Sequence, residues 1–184
     1  MAKAKSKNKT GQIVMLGAAL LGLVAIFLMF APGITSKAIV ANKEAGTSSI
    51  SGFKLIFGTE DGYKFNFMMF LSLIFTAVGI VGAILGGLLN MKLGNFLALG
   101  GFLLAGIFFF LFRAVFPMGV GDMTINGTTV LSGKDAIKAL EEGVSIFGVT
   151  TKTTFSLGVG AIVAGILSIV AALASAAATF ALKK

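Results

Sequence analysis

The chain has 184 residues, of which 57% are hydrophobic and 12% charged, whereas soluble domains carry about 45–50% apolar residues. A water-soluble globular domain is thereby excluded and a membrane protein is expected. A formal net charge of +8 with no His, Cys or Trp also excludes histidine and thiolate metal sites, catalytic pairs built on them, and disulfide-stapled loops.

The chain opens with MAKAKSKNKT, in which Lys3, Lys5, Lys7 and Lys9 make a basic tail over 1–12. This tail looks like the start of a signal peptide. The apolar run over 13–31, however, is long enough to cross a bilayer and has no clear cleavage context, so it reads as a retained first span. A first loop follows over 32–66. Within it, KAIVANKEAGTSSIS reads as a hairpin turning through 42–46, and SGFKLIFG as a short helix whose Phe53, Leu55, Ile56 and Phe57 are too apolar to be left in water. The second span covers 67–89, a link over 90–92 holds Lys92, and the third span covers 93–116. That third span crowds Phe108, Phe109, Phe110, Phe112 and Phe116 into little more than two turns, too many for one buried stripe, so some are expected to face lipid or a neighbouring protomer. Arg113 is the charge inside this run and lies just before Pro117. It is expected to sit at the outer interface, snorkelling or pairing with an acid such as Asp122.

The second loop covers 117–156. MTINGTTV places Asn126-Gly127 between β-prone triplets, the strongest short hairpin pattern because both turn residues must accept positive φ. The same Asn-Gly-Thr is formally a glycosylation sequon, but the hairpin explains it without a modification. Ser132 and Asp135 form a capping box that opens a short helix ending near Gly143, with Ile137, Leu140 and Val144 on one face and the Lys138–Glu142 pair on another. The fourth span covers 157–182, and Lys183-Lys184 end the chain over 183–184. Seven lysines (3, 5, 7, 9, 92, 183 and 184) flank the spans on one side, whereas the two long loops nearly balance their charges. The positive-inside rule then puts both termini and the short link in the cytoplasm and both long loops outside a plasma membrane. The preference for Lys over Arg looks like the usage of an AT-rich bacterial genome.

The two loops repeat each other. Gly46, Thr47, Ser51, Gly52 and Ile56 recur as Gly127, Thr128, Ser132, Gly133 and Ile137. With a nine-residue insertion near KDAIKALEE, Ile56, Phe57, Gly58 and Phe65 then match Ile146, Phe147, Gly148 and Phe155. Pro32 and Pro117 each end an outward span. The expected fold is therefore an all-α transmembrane four-helix bundle with a small extracellular β-containing domain, built from two parallel span-loop-span repeats. The hairpins of both loops are expected to pair into one sheet.

Small residues at helical spacing mark close helix packing. Gly79, Ala83 and Gly87 form such a ridge on span two, and Ala164, Ser168, Ala172 and Ala176 on span four. Span four carries a second set, Ala161, Gly165, Ala171 and Ser175. That surplus, with the apolar side of the 134–142 helix, points to contacts with another subunit, so a homo-oligomer or a surface protein partner is expected beside the lipid bilayer. The basic tail has no interleaved aromatics, so nucleic acid is not an expected partner.

Enzyme chemistry has little support, because Glu60, Asp61, Asp122, Asp135, Glu141 and Glu142 all lie in the loops without a nucleophile, base or phosphate-binding arrangement. No catalytic residue, cofactor or metal is expected. Four spans, cytoplasmic termini, a short inner link and a β-containing outer domain resemble the claudin-like tetraspan proteins. The resemblance is one of architecture: the Trp-Gly-Leu-Trp segment and cysteine pair of that family are absent, and Ser51-Gly52 and Ile56-Phe57-Gly58 are unrelated to them. It implies side-by-side and face-to-face assembly. The chain also looks like small four-span proteins of low-GC bacteria, which implies no activity. The function expected from these features is a non-enzymatic scaffold that assembles with itself or a surface partner. A small oligomeric channel or transporter using Ser, Thr, Asn and backbone groups, and an accessory subunit of a membrane complex, stay open.

Overall fold

The structure, a computed structural model, describes residues 2–60, 62–125, 128–146 and 149–181. The chain is mostly helical, and it divides into two compact units. Unit 1 comprises Met1–Leu28, Leu71–Phe109 and Val163–Lys184; unit 2 comprises Met29–Phe70 and Phe110–Ile162.

Four long helices run through the chain: α1 (Ala2–Phe27), α3 (Phe67–Leu88), α4 (Lys92–Phe110) and α7 (Val159–Ala176), with α2 (Gly52–Phe57) between the first two. Segments of all four long helices, Lys9–Phe30, Phe67–Leu88, Lys92–Phe110 and Val159–Phe180, are long and apolar enough to cross a bilayer, which marks a multi-pass membrane protein. The helix α1 begins at Ala2, so the basic segment is helical and continuous with the first apolar segment. Ala, Lys and Gln are good helix formers, and nothing there interrupts the ladder. Beyond α7 the chain widens into a π-turn at Ala177–Ala181.

Unit 1 is organised around Phe102, which is fully buried among Met15, Ala18, Ala19, Ile80, Ala83, Ala98, Ala171 and Ala172. Its ring occupies a socket made by missing side chains. A Cβ on Gly22 or on Gly79 would lie 2.5 or 2.6 Å from the ring. Helices α3 and α4 approach backbone to backbone, so that a Cβ on Gly101 would lie 2.5 Å from the Gly79 nitrogen. Gly79 and Ala83 thus belong to the packing of the bundle itself, and Gly87 meets the Gln12 carbonyl and Leu16. In lipid, where burial from water gives no driving force between helices, such close contact is the main source of association.

Unit 2 holds the strands β1 (Pro32–Val40), β2 (Lys43–Ser51), β3 (Met123–Ile125), β4 (Thr128–Leu131), β5 (Val144–Ile146) and β6 (Val149–Leu157), and the helices α5 (Phe112–Val115) and α6 (Gly133–Glu142). A four-stranded antiparallel sheet has the order β2-β1-β6-β5, and β3-β4 form a separate hairpin. Hairpins of the two loops do share a sheet, but the second loop contributes β5-β6 and not the hairpin read at 123–130. Strand β1 pairs with β6, from Ile34↔Leu157 to Val40↔Thr151. The reason is length and composition: β6, VTTKTTFSL, matches the nine residues of β1 and is rich in β-branched threonine, whereas β3 and β4 are three and four residues long. The β1-β2 turn is also tighter than expected. It uses Ala41 and Asn42, both at positive φ (47° and 63°), and leaves Gly46 inside a strand. The turn predicted at Asn126-Gly127 lies outside the described residues.

The close approach of α3 and α4 makes a prediction in which adjacent glycines of one helix respond with opposite sign. Gly101→Ala places a methyl group against backbone that cannot yield, so its unfolding free energy in mixed micelles should fall by about 1–3 kcal/mol. Gly100 has nothing within 4 Å of an added Cβ, and Gly100→Ala should leave stability unchanged or raise it by up to ~1 kcal/mol through helix propensity.

Candidate interaction surface

The repeated corners occupy equivalent places in unit 2. Ser51 caps α2 by accepting from the Lys54 amide, and Ser132 caps α6 by accepting from the Asp135 amide. The cap dihedrals nearly coincide, at φ −68°, ψ 153° and φ −66°, ψ 153°. The next residue in each, Gly52 or Gly133, is buried against backbone, of Met29 in one case and Val120 in the other. Ile56 and Ile137 are both buried, at 0% and 5% exposure. Each helix ends on a glycine at positive φ, Gly58 (84°) or Gly143 (99°). Hairpin followed by capped helix is therefore the order in both loops.

The second half of the sequence alignment is corrected. Ile56 and Phe57 close a helix, whereas Ile146 lies in strand β5, and Phe147 and Gly148 are outside the described residues. Ile56 and Ile146 are therefore not equivalent in structure. The four extra residues of α6 move its stop to Gly143, and β5-β6 follow where the first loop has, among the described residues, the isolated bridges Thr59↔Tyr63 and Tyr63↔Val120.

Arg113 pairs with an acid of the second loop, which is Glu141 and not Asp122. Its guanidinium pairs with Glu141 of α6, and its Nε donates to the Phe155 carbonyl of β6 at 2.8 Å. It lies 6.0 Å from the centroid of the Phe155 ring. Beyond the short β5, the edge of β6 is thus held by a side chain in place of a further strand, which leaves fewer free backbone groups for a partner. Asp122, the acid expected to meet Arg113, accepts from Lys64 Nζ at 2.9 Å and from the Gly133 amide at 3.2 Å. The Lys64 hydrogen bond, then that of the Gly133 amide, holds its carboxyl below the usual range.

The small-residue ridges are occupied. Ala164, Ser168 and Ala172 are buried and Ala176 is half-buried. The second set on α7, Ala161, Gly165, Ala171 and Ser175, is buried as well. What α7 exposes is Val159, Ile162, Ile166, Val170 and Leu173, large apolar side chains suited to lipid. The surplus that the sequence assigns to another subunit is consumed within the chain. On the apolar side of α6, Ile137 is 5% exposed, Leu140 is half-buried, and Val144, just past the helix, is 41% exposed. The phenylalanines of the third span divide: Phe109, Phe112 and Phe116 are buried, and Phe110 is exposed. Several bundle hydroxyls are turned back on their own helices, Thr76 to the Ser72 carbonyl (2.6 Å) and Ser175 to the Ala171 carbonyl (2.8 Å). Among the described residues, no three acidic side chains converge as a metal site would require.

What stays open is strand β2. Lys43 through Ser49 are exposed, and β2 is an edge of the sheet. Beside it, Ser36 and Ala38 of β1, Gly46, Thr47 and Ser48 of β2, and Thr153 of β6 line a shallow groove. The charges of this corner, Lys37 and Glu44, pair with each other at 2.8 Å. The sequence predicts this hairpin, but not that its second strand is an edge, because no local pattern names a strand's neighbours. Scans against protein-family models and against curated proteins return no match for this chain.

The lowered carboxyl of Asp122 fixes a pH window. A group whose folded pKa lies below its unfolded value, about 3.9 for Asp, contributes stability in full above that value and loses it as pH falls through the folded pKa. Asp122→Asn should therefore be less stable than the parent at pH 7, with the gap closing below about pH 4. Equal pH profiles for parent and variant in thermal unfolding would show that the Lys64–Asp122 pair contributes nothing.

Proposed function

We propose that this chain is a non-enzymatic, multi-pass membrane protein whose sheet-bearing unit engages other proteins, either further copies of itself or a surface partner. The observation that carries the reading is the contrast between filled helix faces and the uncovered edge β2. A protein that associated through its bundle would leave small-residue ridges exposed, and here those ridges are buried. The side-by-side assembly that the claudin-like resemblance implies is consistent with contacts made through loops. A channel or transporter is less favoured, because Thr76 and Ser175 spend their hydroxyls on their own helix carbonyls. In this reading unit 2 is outside a plasma membrane and both termini are cytoplasmic, since seven lysines flank the spans on the opposite side.

One experiment tests placement and contact together. An impermeant bifunctional amine reagent added to intact cells should join the chain to a second protein through unit 2 lysines such as Lys43, Lys54, Lys138 and Lys152, with Lys92 unmodified. A chain that stays single after its unit 2 lysines have reacted contradicts the assembly reading, and modification of Lys92 contradicts the orientation.

A further inference from the structure

Gly46 borders the irregularity that skips Ala45, but nothing in its own conformation or surroundings requires glycine. Its φ is not in the left-handed region, and a Cβ built on it meets nothing within 4 Å. Glycine weakens a strand interior, and where neither backbone conformation nor an internal neighbour requires it, close approach from outside is a physical reason for it. The space over Gly46 opens onto the groove that Ser36, Ala38, Thr47 and Thr153 also line, and its face of the sheet carries Ser48 and Ile50 through the pairs Ala38↔Gly46, Ser36↔Ser48 and Ile34↔Ile50. The charged pair Lys37–Glu44 belongs to residues of the opposite alternation.

We propose that the occupant is strand β2 of a second copy of this chain, paired antiparallel about a twofold axis at Ser48. This deepens the assembly reading and rests on it. The register is selected by the strand. Regular pairing with β1 runs from Gly46 to Ile50 and is broken at both ends, by the irregularity between Ala38 and Ile39 that skips Ala45, and by the one between Pro32 and Ile34 near Ser51. The uncharged run Gly46–Thr47–Ser48–Ser49–Ile50 has Ser48 at its centre. A dyad there sets Ser48 opposite its own copy, Thr47 opposite the partner's Ser49, and Gly46 opposite the partner's Ile50. Directly opposed residues share a face, so each Ile50 covers the glycine of the other copy and part of the groove beside it. Ser and Thr pairs across antiparallel strands are favourable, and no like charges meet.

Backbone direction agrees with this register. The Ser48 carbonyl accepts from the Ser36 hydroxyl of β1 at 3.4 Å and so faces inward. By alternation, Thr47 and Ser49 present their amides and carbonyls outward, and Ser48 opposes its copy as a non-hydrogen-bonded pair with a Cα separation of about 4.5 Å. The other end of the sheet offers no equal edge, because β5 has three residues and Arg113 holds the Phe155 carbonyl. Edge pairing therefore closes as a dimer in preference to growing as an open ribbon.

The chain contains no cysteine, which makes the test direct, since an antiparallel non-hydrogen-bonded pair falls within disulfide reach. Oxidised in its own membrane, Ser48→Cys should give a reducible dimer. Thr47→Cys alone and Ser49→Cys alone should each crosslink at least tenfold less. Co-expressing Thr47→Cys chains with Ser49→Cys chains should restore the dimer. Adding Gly46→Ile to Ser48→Cys should lower crosslinking at least tenfold, because it fills the seat of the partner's Ile50. Equal crosslinking at positions 47, 48 and 49, or an unaffected yield with Gly46→Ile, would overturn the pairing. If Ser48→Cys stays monomeric while the amine reagent still captures complexes, the edge pairing fails and the assembly reading stands; if neither reagent captures anything, both fail.

Discussion

The antiparallel pairing of β1 with β6 is the interaction on which unit 2 depends. It joins strands from the two loops, and it uses the inner edge of β1 that would otherwise be free. Once β1 is committed on that side, its hairpin partner β2 must be an edge. Once β6 is committed to β1, its far side is available only to the three residues of β5 and to Arg113. The ion pair of Arg113 with Glu141 ties α6 to this arrangement. One strand pairing thus decides which backbone groups are satisfied internally and which face outward.

Unit 1 follows a separate logic, in which close backbone approach matters more than the size of the side chains. The fully buried ring of Phe102 sits where Gly22 and Gly79 leave room, and the buried residues around it are mostly alanine. Helices packed in this way use their small residues on one another and turn large aliphatic side chains outward, as α7 does with Ile166, Val170 and Leu173. Such a surface suits acyl chains and gives little specificity for a protein partner. The edge of the sheet differs in keeping outward backbone groups along β2.

Much of this architecture was legible in the sequence, and the parts that were not fail for identifiable reasons. The four apolar segments, the serine caps at Ser51 and Ser132 and the equivalence of Ile56 with Ile137 follow from patterns a few residues long, which local physics controls. The Ile-Phe-Gly match misled because the same residue type can close a helix at 56 or lie in a strand at 146, and only the surrounding hydrogen bonds decide. The choice of β6 as partner for β1 is a contact between distant segments, and no local pattern in VTTKTTFSL names its neighbour. Small residues on two faces of α7 were visible, but not that both faces are covered by the same chain. Gly46 read as a turn residue because Ala41 was not expected to accept positive φ.

The central claim is that β2 is an assembly edge, and backbone hydrogen exchange tests it without altering any residue. In membranes at native density, the amides of Thr47 and Ser49 should exchange slowly, and after dilution into detergent as single chains they should exchange at least tenfold faster, while the inward amides of β1 and β6 keep their protection. Fast exchange at Thr47 and Ser49 in both states, with new protection on the helices or on β5 instead, would contradict the account.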